Sequence, residues 1–168
     1  MALVVEDGTG LSTAEAFVSV ATADTYFTTT HIESSAVWSA ASTPQKEGAL
    51  RYASTILSNR YQWPGTIAVE TQALAWPRDG AYDKEGRSLV DTVPSLVAKA
   101  TVELARFLLS NPANASTSSA DLVASVSVGS LAVAFRDSAP AKAFLGYLND
   151  LLSPIVVGGL NTARVIRG

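Results

Sequence analysis

The sequence predicts a mainly α fold: a small helical bundle carrying one β-hairpin at about 122–136 and an extended C-terminal arm. Three observations carry this. Four stretches place apolar residues at helical spacing. One stretch alternates with period two around Gly129-Ser130. The last residues are apolar and basic and have no helical period. The domain organisation expected is a helical body over 1–152 with the hairpin inserted, followed by the arm over 153–168.

The chain opens with a short strand, Leu3-Val4-Val5, and the turn formers Asp7-Gly8-Thr9-Gly10. A first helix is expected from about Ser19, which can cap it, with Val20, Ala23, Tyr26, Phe27 and Thr30 on one face. A polar break follows at His31 to Ser35. Thr43-Pro44 is the strongest start signal: Thr43 as N-cap, Pro44 at the first helical position, where its missing N–H costs nothing. That helix should run to about Asn59 and bury Ala49, Tyr52, Ala53, Ile56 and Leu57.

Residues 60–93 hold no sustained period. They contain two Trp-Pro pairs, and the residue before a proline is pushed out of the α region, so Trp63 and Trp76 are expected to pin a rigid connection as structural aromatics. Asp83-Lys84-Glu85-Gly86 lacks the alternating ligands of a calcium loop and reads as a turn. The next helix spans about Pro94 to Ser110, with Val93, Leu96, Val97, Ala100, Leu104, Phe107 and Leu108 recurring at i, i+3, i+4 and i+7.

Asn111 to Ala120 is a low-complexity linker. In the hairpin beyond it, glycine first in a two-residue loop is a type II′ signature, pairing Val128 with Leu131, Val126 with Val133 and Ala124 with Phe135. The large groups of Val126, Val128, Leu131 and Val133 then share one face, which must pack on the chain's own helices or on another chain, because an isolated hairpin is marginal in water. The last helix runs from about Pro140 to Leu152 with Ala141, Phe144, Leu145, Leu148, Leu151 and Leu152 as its stripe, and Pro154 stops it.

Composition bounds the function. The 168 residues are 48% hydrophobic and only 16% charged, with net charge −3 and no cysteine. No disulfide scaffold, thiolate metal site or cysteine nucleophile is possible. The charge is unevenly placed: two of the 12 basic residues and none of the 15 acids lie in the last eighteen positions, so the rest of the chain is net −5. A domain that binds nucleic acid by neutralising phosphates is usually basic. The N-terminus has no basic region and meets acids after five residues, so it does not read as a signal peptide, and no apolar run approaches the ~20 residues of a membrane span. A cytoplasmic site of synthesis and no membrane partner are expected.

Catalytic templates are missing. His31 is the one histidine, and near a helix end it suits a capping role. No G-x-S-x-G elbow, HExxH or paired carboxylates on a helix face occur. No enzyme, cofactor or metal is expected. The best nucleic-acid candidate is a stacking platform of Arg60, Tyr61, Trp63, Trp76 and Arg78, weighed against tryptophans that plug the core. The tail residues Ile155, Val156, Val157, Leu160, Val165 and Ile166, with Arg164 and Arg167, read as an arm that docks on a partner; a strand folded back on the body is the competing reading.

The segments VVEDGTGLSTAEAFVSVATADTYF, QALAWPRDGAYDKEGRSL followed by VPSLVAKATVELA, and VSVGSLAVAF occur in an order that resembles a family of tailed-phage and prophage proteins. Its members are often labelled DnaT-like single-stranded DNA-binding proteins, and they look like head-tail connector adaptors, similar to head-completion proteins. The likeness runs from Val4 to about Leu152 and is most specific over Gln72 to Gly80. It implies a virion structural protein at the head-tail interface, in the neck of the particle. It also implies a ring of copies of this chain, expected to be a dodecamer, beneath the portal protein. A distal neck or tail-completion protein lies below, and genomic double-stranded DNA passes through without sequence-specific contact. In such adaptors the C-terminal segment reaches the portal, which would place Ile155 to Arg167 there, and the resemblance makes Val126, Val128, Leu131 and Val133 of the hairpin candidates for a contact with a neighbouring subunit or a neck protein. The alternative implied by the label is a DnaT-like single-stranded DNA-binding protein.

Overall fold

The computed structural model describes residues 2–30, 35–89, 92–111, 127–128, 131–132 and 139–157. The fold is mainly α, with five helices and a small antiparallel hairpin among the described residues. The helices are α1 (Val20–Thr30), α2 (Ser35–Ala40), α3 (Thr43–Arg60), α4 (Ser95–Ser110) and α5 (Ala139–Leu152). Two short ladders accompany them: β1 (Thr66–Ile67) with β2 (Arg78–Asp79), and β3 (Ser127–Val128) with β4 (Leu131–Ala132).

The first helix starts as expected. The Thr22 N–H donates to the Ser19 hydroxyl at 3.0 Å, and Ala23 and Phe27 are buried. α2 falls in and after the stretch read as a polar break, and it is a correction: a six-residue helix is too short to show a period, yet it delivers Trp38 to the core, where its ring lies 5.3 Å from Phe27. The start of α3 shifts by one residue. Ser42, not Thr43, is the N-cap, and its N–H donates to Gln45 Oε1 at 2.9 Å, one arm of a capping box that the sequence reading overlooked.

α4 is the central element; α3, α2 and α5 all pack on it. Its stripe reading was too narrow, because Thr101, Val102, Glu103 and Ala105 are buried as well as Val97, Ala100, Leu104 and Leu108. A helix covered on several sides buries its polar positions, and these must find partners. The Thr101 hydroxyl donates to the Val97 carbonyl at 2.8 Å; Glu103 accepts from Tyr26 Oη at 2.8 Å and from Arg106 Nη2 at 3.1 Å. The sequence offered no sign of the second buried carboxylate, Glu6, which accepts the N–H groups of Gly8, Gly10 and Leu11 at 2.9–3.0 Å and so shapes the first turn.

The 60–93 connection is irregular, as its lack of period implies. Gly65 has φ +67, and a Cβ there would collide with the Asp79 carbonyl oxygen, so the β1–β2 crossing admits only glycine at this point. Asp83 forms the expected turn: its carboxylate accepts the Glu85 and Arg87 N–H groups and pairs with Arg87 Nε at 2.7 Å. In the β3–β4 hairpin Val128 faces Leu131 and Ser127 faces Ala132, the register that a Gly129-Ser130 loop dictates. Val126, Val133, Ala124, Phe135, His31 and the 112–120 linker lie outside the described residues.

Candidate functional site

Two regions were singled out as candidate sites: the aromatic-arginine platform of the 60–93 connection and the C-terminal arm. In the platform, the Tyr61 and Trp63 rings lie 5.6 Å apart, and Trp63 meets Trp76 edge-on at 5.7 Å. All three rings are turned inward. Trp76 is 0% exposed and Trp63 6%. The Tyr61 hydroxyl donates to Asn149 of α5 at 2.9 Å, and burial pushes its pKa above the ordinary tyrosine value.

Arg78 is equally committed. Its Nε donates to the Pro64 carbonyl at 2.6 Å, Nη1 to Ala75 at 3.1 Å and Nη2 to Gly65 at 2.8 Å. The guanidinium thus ties the two sides of the connection together, and desolvation lowers its pKa from the usual arginine value. Gln72 does the same one turn away: its amide nitrogen donates to the Leu74 and Pro77 carbonyls at 2.7 and 3.0 Å, and its oxygen accepts from Val69 N–H. Three buried donors in this region, Arg60 Nε, Trp63 Nε1 and Trp76 Nε1, have no acceptor. A base stacking on this cluster would have to displace core.

At the C-terminus, the chain does not leave the body at residue 153. Ile155 is 3% exposed and belongs to the core; Val156 packs against it. Val157 is about half exposed, but its N–H donates to the Gln62 carbonyl at 2.9 Å. Of the residues assigned to the arm, Ile155 is thus an anchor in the core and Val156 is partly covered by the same body. Leu160, Arg164, Val165, Ile166 and Arg167 lie outside the described residues, as do the side chains of Val128 and Leu131.

The third tryptophan was passed over in the sequence. Trp38 Nε1 donates to Asp24 Oδ1 at 2.7 Å, the same oxygen that takes Lys46 Nζ at 2.9 Å, and the ammonium lies 5.2 Å from the indole centroid. The spacing Asp24, Trp38, Lys46 crosses three helices, so no local pattern reveals it. Around this cluster the surface is neutral: every exposed described residue of α1 and α2 is alanine, serine, threonine or valine. The threonine hydroxyls of α1 bond back onto their own helix, Thr25 to Ala21, Thr29 to Thr25 and Thr30 to Tyr26, at 2.9–3.0 Å. Among the described residues no group of three His, Cys, Asp or Glu side chains could hold a metal ion, and no helix is long and apolar enough to cross a membrane.

These features define a small helical domain with its three tryptophans inside and neutral exposed faces on α1 and α2. The chain belongs to the family described as "Putative DnaT-like ssDNA binding protein", whose model matches residues 1–168. No curated protein and no solved structure matches it. The DnaT-like half of the resemblance drawn from the motifs is thereby established, and the family's description fits the single-stranded DNA binder better than the connector.

Proposed function

We propose that the protein is a non-enzymatic virion component, a head-tail connector adaptor that packs side by side into a ring beneath the portal and continues the DNA channel. The observation that carries this reading is the inward commitment of Trp63, Trp76 and Arg78. The residues best suited to hold single-stranded DNA are used to build the fold, and the net charge of −5 over the first 150 residues repels a phosphate backbone. The neutral faces of α1 and α2 support the same reading, since hydroxyls already bonded to their own helix lose little when a neighbouring subunit displaces water. The portal would be met by the residues beyond Val157, with Arg164 and Arg167 opposite portal carboxylates. A distal neck protein and the passing double-stranded DNA complete the partners, and no cofactor is required.

Because Ile155 is core, the test truncates at Gly158. Full-length protein should co-sediment with assembled portal rings, and the chain ending at Val157 should not; equal binding by both overturns the arm. The second reading, a DnaT-like single-stranded DNA-binding protein, is favoured by the family's description. It requires a shift of oligo(dT) at ordinary salt that weakens steeply as salt rises. The adaptor should leave the oligonucleotide unshifted.

A further inference from the structure

The 60–93 connection is held to the rest of the molecule at two separate places. Residues 69–77 are tied to the N-terminal half: the Ala73 N–H donates to the Leu11 carbonyl at 3.1 Å and the Ala75 N–H to the Ser58 hydroxyl at 3.3 Å. Residues 61–63 and 81–89 are tied to the C-terminal end instead. The Val157 N–H donates to Gln62, the Lys84 N–H donates to the Pro154 carbonyl, both at 2.9 Å, and Ile155 sinks into the core between these two bonds in the chain. Tyr61 adds its bond to Asn149 near the end of α5.

We infer that residues 153–157 are a strap through which the C-terminal end of the chain sets the order of the 61–63 and 81–89 segments, while 69–77 keeps its own ties to Leu11 and Ser58. Two of the buried donors without an acceptor, Arg60 Nε and Trp63 Nε1, adjoin or belong to the 61–63 segment. Water reaches such donors when the segment opens, which lowers the cost of opening relative to a fully satisfied core. With few hydrogen bonds and one buried isoleucine to hold it, the strap is the element whose release changes local order without unfolding α3 or α4. In the adaptor reading, on which this role rests, a partner gripping the residues beyond Val157 pulls or fixes the strap and so loosens or locks the aromatic connection.

Hydrogen exchange on the full-length chain tests the coupling without any partner, so its failure is separate from a failure of portal binding. Two variants are compared with the parent: Ile155→Ala, and Val157→Pro, which deletes the N–H given to Gln62 while removing no buried side chain. The Lys84 amide, which donates to Pro154, and its neighbours in 81–89 should exchange about tenfold faster or more in both variants, with the Ala73 amide bonded to Leu11 and those of α1 changing much less. Acceleration spread evenly over all segments, or none at Lys84, overturns the inference. Should Ile155→Ala fail to fold, Val157→Pro alone decides it by the same criterion.

Discussion

The Trp63 indole meets that of Trp76 edge-on, with centroids 5.7 Å apart and planes at 72°, and neither ring nitrogen has an acceptor. The pair is worth its apolar area and its edge-to-face geometry, less the penalty of two buried N–H groups. Truncation and conservative replacement should therefore part widely. Trp63→Ala is expected to cost about 3–5 kcal/mol, the usual loss for a buried aromatic. Trp63→Phe, which keeps a ring and deletes an orphan donor, should cost less than about 2 kcal/mol. Urea unfolding of both variants measures the difference; equal losses would mean that the indole nitrogen finds an acceptor after all.

Arg78 is a brace, and a brace depends on its fork more than on its charge. Arg78→Lys keeps the cation but can reach at most part of the three carbonyls that the guanidinium spans, so about 1–3 kcal/mol of stability should be lost. Affinity for oligo(dT) should not follow that loss. A variant of full stability with abolished DNA binding would place Arg78 on an interface instead.

The legible and illegible parts of the fold divide by the range of the interactions that make them. Ser19, the 83–86 turn and the Val128–Leu131 pairing are fixed by neighbours a few residues apart, and the residues themselves announce them. α2 was missed because six residues carry no period, and Trp38 with it, since its partners Asp24 and Lys46 stand on other helices. The extra buried faces of α4 follow from its central place, which no single-helix pattern encodes. In the candidate site, the Trp-Pro pairs signalled a pinned connection, but the grip of Arg78 on backbone carbonyls of Pro64, Gly65 and Ala75 depends on a chain crossing that only folding creates. Ile155 was assigned to an arm because its apolar neighbours run on into the tail; hydropathy cannot tell an anchor from an arm.

Glu103 is 2% exposed and serves two partners at once, accepting from Tyr26 on one oxygen and from Arg106 on the other. Burial, with the hydrogen bond to this carboxylate next in weight, raises the Tyr26 pKa well above the ordinary tyrosine value. Glu103→Gln keeps an acceptor for Tyr26 and strands Arg106, so about 2–4 kcal/mol should be lost, toward the low side because Arg106 retains some solvent. Tyr26→Phe should cost nearer 1 kcal/mol. Thermal unfolding of the two variants checks the order, and a Tyr26→Phe loss exceeding that of Glu103→Gln would refute it.

Asp24 supplies a pH dependence that can be read through Trp38. The hydrogen bond from Lys46 is the main influence holding the Asp24 carboxyl below its ordinary range; partial burial opposes it and the Trp38 N–H assists. A carboxylate whose pKa is depressed by folding contributes stability that is fully present above the ordinary aspartate value and is lost as pH falls through the lower folded value. The α1–α2–α3 junction should thus weaken only below about pH 4, where Trp38 loses its charged acceptor. Asp24→Asn keeps an oxygen for the indole but gives up the ammonium, so at pH 7 it should cost about 0.5–1 kcal/mol, and its stability should vary less between pH 7 and pH 3 than that of the parent. Urea midpoints followed by tryptophan emission at the two pH values measure this. Parallel losses in parent and variant would show that the acid sensitivity of the protein originates at another carboxylate.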